Sequence, residues 1–466
     1  MSESLATDLA RNIGQVRFSD FPVATIHKAK LHILDTLGAA LAGSASPETR
    51  SVIHGLGLGR DTGDTPVWGI GLMLDNRTAS FVNGVSAHAF ELDDSGGCDH
   101  SGAVVLPAVL AALTDVGAPV DGARFLESIL IGYEVGRRVL EASGGYEAHN
   151  GLGWHSTGTC GVFGAAAAAG VLLGLDTPQL TSALGLACSY AGGTWAFIQD
   201  GSQAKKLHAG RAAEGGLIAA KLARASLTGP AALFDAQCWG GFFSTFARHT
   251  GDTGLLVSDF GQNWRLNRCS IKPYATCRGT HSAIDAIGLV LGREGLVPED
   301  VAAIEVRMSA FQIGMCGGKS VSTRADAQMS LPYALAARLQ YGQVTLAELG
   351  ETARMHPQIA RWLSFIRTEA DPDMSDDAEP VIAVTTGDGR RFVETVEQPL
   401  GSPANPMADE AVIAKFTSLA SGVVGLERSD AIRDFVLNLE RQPAVHCLSA
   451  LLRHPSPVIP MSGAKA

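Results

Sequence analysis

Six ionisable side chains crowd the segment AHAFELDDSGGCDHSG (87–102): His88, Glu91, Asp93, Asp94, Asp99 and His100. Apolar, small-residue stretches flank it, FVNGVSA before and AVVLPAVLAAL after. Burying unpaired ionisable groups costs several kcal/mol, so the cluster needs either chemistry or mutual satisfaction. Carboxylates and imidazoles on one loop suit proton transfer. A network capping two helix ends is the competing account. Histidine and aspartate are also metal donors, but no HExxH or similarly tight spacing accompanies them, so no metal is expected.

Three further junctions carry candidate groups. His155 stands in GLGWHSTGT just before an alanine-rich helix. Lys205, Lys206, His208 and Arg211 sit at the head of another predicted helix. Cations there oppose the helix dipole, and a bound carboxylate would resolve the conflict. Lys272, Tyr274, Arg278 and His281 form a third group in IKPYATCRGTHSA. Basic groups gathered at two loop–helix junctions of an acidic chain point to a small substrate with two or more carboxylates. There is no GxSxG elbow and no Walker loop, and Gly158, Gly161 and Gly164 lack the Rossmann spacing. Their role is expected to be close helix packing.

These groups need a scaffold. The chain has 466 residues, 46% hydrophobic and 18% charged, which fits a folded protein of two or three domains. The net charge of -11 argues against nucleic-acid or anionic-membrane partners. Eight scattered cysteines without a CxxC pair and the absence of a signal-peptide core predict reduced thiols and a cytoplasmic protein. No apolar run of membrane-spanning length is read from the sequence.

Apolar periodicity predicts helices at about 21–43, 77–94, 103–116, 121–142, 160–174, 178–191 (capped by Thr177) and 206–224. After Leu266 the pattern changes. A strand is expected at 301–309, a hairpin across 381–397 around Gly387-Asp388-Gly389, and helices at 280–295 and 325–341. Helix resumes over 400–416, then 427–440 and 443–453, before a loose tail from Pro455. The expected fold is mainly α: a large discontinuous helical domain (1–266 and 400–466) with an inserted α+β lid (267–399).

The blocks NGVSAHAFELDD (83–94), GWHSTGT (153–159), GSQAKKLHAGRAA (201–213), LTGP (227–230), KPYATCRGTH (272–281) and NPMADEAVIAKF (405–416) occur in an order that resembles the MmgE/PrpD family. That family holds 2-methylcitrate dehydratases, cis-aconitate decarboxylases and an iminodisuccinate epimerase. The resemblance implies a homodimer, a site between the two domains, and metal- and cofactor-free chemistry beside a carboxylate. It also implies an acidic site residue at Glu91, site histidines at His100, His155 and His281, and a site lysine at Lys205. The sequence departs from the family pattern by carrying Glu91 for Asp, Ser95 for Thr, and a shortened loop with no Pro after His100.

The overall likeness leads to the expectation of an epimerase acting on an iminodisuccinate-like polycarboxylate. Two of His100, His155 and His281 would serve as acid and base on opposite faces of one carbon, since imidazole titrates near 6.5. Glu91 or Asp93 would orient one imidazole or act as base. Lys205, Arg278 and helix N-termini would stabilise the carbanion. Lys206, His208, Lys272, Tyr274 and Ser95 would bind substrate, with Tyr146 a lesser candidate. The alternatives are a dehydratase or decarboxylase using the same base, or a polycarboxylate-binding protein without turnover.

Overall fold

The computed structural model describes residues 4–248 and 251–454. The tail expected to be loose (455–466) lies outside the described residues. The chain is largely helical. Long helices span Val23–Ser44, Asn76–His88, Ser101–Ala112, Gly122–Ala142, Gly161–Leu173, Thr177–Ala187 and Ala204–Arg224. Proline opens the first, with Pro22 as its N-cap, because its fixed φ suits a helix start and it has no N–H to leave unpaired.

Glycine and alanine let these helices approach closely. A Cβ on Gly164 would stand 2.5 Å from the Gly132 carbonyl, and one on Gly216 would stand 2.4 Å from the Ala165 Cβ. The helix Gly161–Leu173 is thus clasped between Gly122–Ala142 and Ala204–Arg224. Gly158 packs its backbone against the Gly192 carbonyl, where a Cβ would come within 2.0 Å. The adjacent loop holds His155 through its N–H to Gly193 and carries Trp195. Gly158→Ala is therefore expected to destabilise by about 1–3 kcal/mol, the range for overpacking. Equilibrium urea unfolding measures it.

Buried apolar side chains form two main clusters. One draws on residues 6–269 and 416–452. The other combines Leu92 with residues from Ala275 to Val384. The second surrounds a mixed sheet. With β1 (Thr65–Pro66) and β2 (Met73–Leu74) as a small separate pair, the sheet comprises β3 (Val301–Met308), β4 (Ile366–Ala370), β5 (Val381–Thr386) and β6 (Arg391–Glu394). Its order is β4-β3-β5-β6; β4 runs parallel to β3 and the other pairs are antiparallel. Helices His281–Glu294 and Leu331–Tyr341 contribute buried side chains to the same cluster.

Several expectations need correction. The helix predicted over 77–94 stops at His88, because the backbone turns left-handed at Glu91 (φ 55°). Asp176, not Thr177, caps the helix predicted over 178–191, accepting from the Gln179 N–H. The 325–341 helix is two, Arg324–Gln328 and Leu331–Tyr341, with Ser330 capping the second. Helix after 400 begins only at Asp409. The helix Pro357–Phe365 and strand β4 were not expected. Among the described residues one stretch, Ser156–Leu173, is long and apolar enough to cross a membrane, yet 94% of it is buried inside the protein, as in a core helix.

Candidate functional site

A cleft of about 310 Å³ opens among residues 91–147, 195–205, 268–279 and 311–403. Glu91, His100, Tyr146, Lys205, Lys272 and Arg278 are among its lining groups. It therefore gathers residues from both halves of the sequence.

The loop between helices Asn76–His88 and Ser101–Ala112 builds its floor. Two non-glycine residues here take positive φ, Glu91 at 55° and Asp99 at 115°. Such conformations cost roughly 1–3 kcal/mol each and persist only where surroundings enforce them. At Glu91 the enforcement is visible. Its carboxylate receives Lys205 Nζ at 2.9 Å and Lys206 Nζ at 2.6 Å, and Lys272 Nζ lies 3.5 Å away. Lys272 also donates to the Glu91 carbonyl at 3.1 Å. All four side chains are buried.

Burial alone would raise the Glu91 pKa, but the surrounding lysines, led by Lys205, hold it well below the usual carboxylate range. One carboxylate facing three ammonium groups leaves a local excess of positive charge. Lys205 is additionally flanked by the Trp195 and Phe197 rings at 5.5 and 5.8 Å. Burial opposes its charge, yet Glu91 outweighs that and raises its pKa. The expected dipole conflict at this helix head is thus resolved internally, by Glu91, rather than by a bound ligand alone.

His100 is the imidazole on the cleft wall. Its Nδ1 lies 2.8 Å from the Asp94 carbonyl, which fixes Nδ1 as the donor, and 3.2 Å from Asp93. Its Nε2 lies 3.4 Å from Asp99. Burial disfavours the imidazolium, but Asp99 and Asp93 prevail and raise its pKa. Asp94 is held by Tyr133, by His32 and by the Gly102 N–H at the start of the next helix. The carbonyl that orients His100 is therefore anchored from three sides.

The other expected histidines differ. His155 is fully buried one layer beneath, with Nδ1 2.9 Å from His208 Nδ1 and Nε2 3.6 Å from Asp99. Burial pushes its pKa down to about 3, and that of His208 to about 4. His281 is buried outside the cleft lining, edge-on to Tyr274 at 5.1 Å, and its pKa falls well below 6.5 through burial. So the expectation that all three titrate near 6.5 fails; burial leaves only His100 suited to carry a proton at neutral pH.

Of the other expected site residues, Ser95 lines the cleft and pairs backbone-to-backbone with Ser270. Arg278 lines it while bound to Glu379 at 2.6 Å. Asp93 lies below, 3.0 Å from His88 Nδ1. Lys206 and His208 sit behind Glu91 and His155 respectively. Tyr274 donates instead to Asp285 and is outside the cleft lining. Trp195, Arg137, Cys277, Gln312 and Glu379 also line the cleft and were not singled out from the sequence.

The MmgE/PrpD N-terminal domain matches residues 7–252, and the MmgE/PrpD C-terminal domain matches residues 274–441. A cis-aconitate decarboxylase of Aspergillus terreus is 30% identical over 470 residues, covering 94% of each chain. The cis-aconitate decarboxylase of Homo sapiens is 28% identical over 474 residues, covering 98% of this chain and 96% of its own. That of Mus musculus is 27% identical over 473 residues.

Proposed function

This chain belongs to the MmgE/PrpD family, and from that premise we propose that it is a lyase that decarboxylates an unsaturated tricarboxylate, with cis-aconitate the first substrate to test. One observation carries the reading. A single imidazole whose pKa is raised, His100, faces a cleft that also holds Lys205 and Lys272. The expected epimerase needs acid and base on opposite faces of one carbon. His155 and His281 do not provide a second histidine for that role, because both are buried outside the cleft lining. The decarboxylases among the relatives support the same choice.

The chemistry balances with one proton donor. The bond from the allylic carbon to its carboxylate breaks and CO2 leaves. The electron pair forms a new terminal double bond, and the old double bond's pair moves onto the carbon α to a remaining carboxylate. That carbon then takes a proton from His100 Nε2. The developing negative charge spreads onto the remaining carboxylate, where Lys205, Lys272 and Arg278 oppose it. Preorganised charges in a water-poor cleft act most strongly on charge that grows during the reaction. Asp99 and Asp93 keep His100 protonated, and the Asp94 carbonyl aims it.

The test is incubation with cis-aconitate, reading CO2 release and the alkene signals of a dicarboxylate product by NMR. Stereoisomer scrambling of iminodisuccinate without CO2 release from cis-aconitate would overturn the reading.

A pH dependence follows. The acid form of His100 is fully populated below the ordinary imidazole value of 6.5 and persists above it, because its pKa is raised. Activity should therefore hold through pH 6.5 and fall as pH rises through the raised value. A pH–kcat profile checks this; an activity that instead rises over that interval would make His100 a base.

A further inference from the structure

Beneath the cleft wall, one ring nitrogen from each of His88, His100 and His155 lies within 4.8 Å of the others, and all three residues are buried. We propose that these histidines form a site for a divalent transition-metal ion, with zinc the expected occupant, and with Asp99 as fourth ligand.

The partner pattern supports this. Each Nδ1 is already engaged: His88 with Asp93 at 3.0 Å, His100 with the Asp94 carbonyl at 2.8 Å, and His155 with His208 at 2.9 Å. A metal-bound histidine characteristically uses its other ring nitrogen in this way, which fixes ring orientation. The Nε2 atoms are not equally free: that of His155 lies 3.3 Å from the Thr157 hydroxyl. That of His88 is buried and makes no hydrogen bond, its nearest acceptor being Glu91 at 3.5 Å. Asp99 Oδ2 lies 3.4 Å from His100 Nε2 and 3.6 Å from His155 Nε2, so it already bridges two of the three.

Zinc accepts three imidazoles and an oxygen in tetrahedral array. Given the 4.8 Å limit, each ring needs to move inward by less than about one ångström to reach a zinc–nitrogen distance of about 2.0–2.1 Å. The ligands come from three separate elements, which is why no local motif announces them.

An ion here would occupy His100 Nε2, the atom assigned above to proton delivery. Metal binding and the acid role are then mutually exclusive, and zinc is a reversible inhibitor; that consequence alone rests on the proposed function.

The probes are Zn2+ by isothermal titration and Co2+ by visible absorption, on the full-length protein stripped with chelator. The expected result is one equivalent per chain and a tetrahedral Co2+ spectrum without a thiolate charge-transfer band. His88→Gln and His155→Gln should each weaken binding at least tenfold, and Asp93→Asn about 10–100-fold, as for loss of an outer partner. If His88→Gln fails to fold, Asp93→Asn and the Co2+ spectrum of the unaltered protein still decide. No saturable binding, a thiolate band, or affinity unchanged in the folded variants overturns the site. One equivalent bound without inhibition would leave the site standing and overturn the acid role of His100.

Discussion

Replacing His100 with asparagine is expected to lower kcat by about 10²–10⁴-fold, the usual contribution of a positioned general acid. Asparagine preserves a polar side chain of similar reach and a donor toward the Asp94 carbonyl. The change therefore removes a transferable proton more than it removes structure. KM should move little, because carboxylate recognition falls to Lys205, Lys272 and Arg278. The alkaline limb of the pH profile should vanish with the residual activity. A variant retaining more than a tenth of kcat would show that another group delivers the proton.

Glu91→Gln is the second large effect, and it acts on stability first. The substitution leaves Lys205, Lys206 and Lys272 buried together with the anion that balances them gone. Breaking a buried ion pair by removing one partner costs about 3–5 kcal/mol. Urea unfolding at neutral pH should show a loss of that size. Because the deficit is negative charge, a bound tricarboxylate should stabilise the variant more than it stabilises the parent. The sign with pH also follows. Glu91 is held below its ordinary value of 4.5, so its contribution is present above that range and is lost as pH falls through the depressed value. Between about pH 5 and 8 the difference between parent and variant should stay flat as far as Glu91 is concerned. A loss under 1 kcal/mol would mean that the three lysines are balanced by other groups.

Much of the scaffold was legible in the sequence. Helices such as Gly122–Ala142 and Ala204–Arg224 follow from apolar periodicity and small residues. The hairpin β5–β6 follows from alternation around Gly387-Asp388-Gly389. Strand β4 was hidden because IRTEA is polar on most positions and pairs parallel at the sheet edge, leaving little alternation to read. The 89–94 stretch was misread as helix because its left-handed Glu91 is imposed by lysines more than 100 positions away. Local propensity carries no trace of such a partner.

The candidate site divides the same way. Glu91, His100, Lys205, Lys272 and Arg278 were found by residue type and by the crowding of charge in apolar context, and all line one cleft. Their protonation was not readable. His155, His281 and His100 look alike in a sequence; burial alone separates them, and only His100 has two carboxylates close enough to prevail over it. Glu379 and Gln312 were not singled out, since Gln312 stands alone in the apolar run AFQIGMC and Glu379 is one of several carboxylates in DPDMSDDAE. Trp195 was the one that could have been found, as an aromatic after two glycines beside the basic helix head.

The most direct measurement is a crystal structure of the protein with propane-1,2,3-tricarboxylate, a saturated and unreactive analogue. Two carboxylates are expected on Lys205 and Lys272, with the carbon between them about 3–3.5 Å from His100 Nε2, the separation of a near-attack geometry. An analogue bound away from His100, or one whose carbon is flanked on opposite faces by two separate bases, would contradict it.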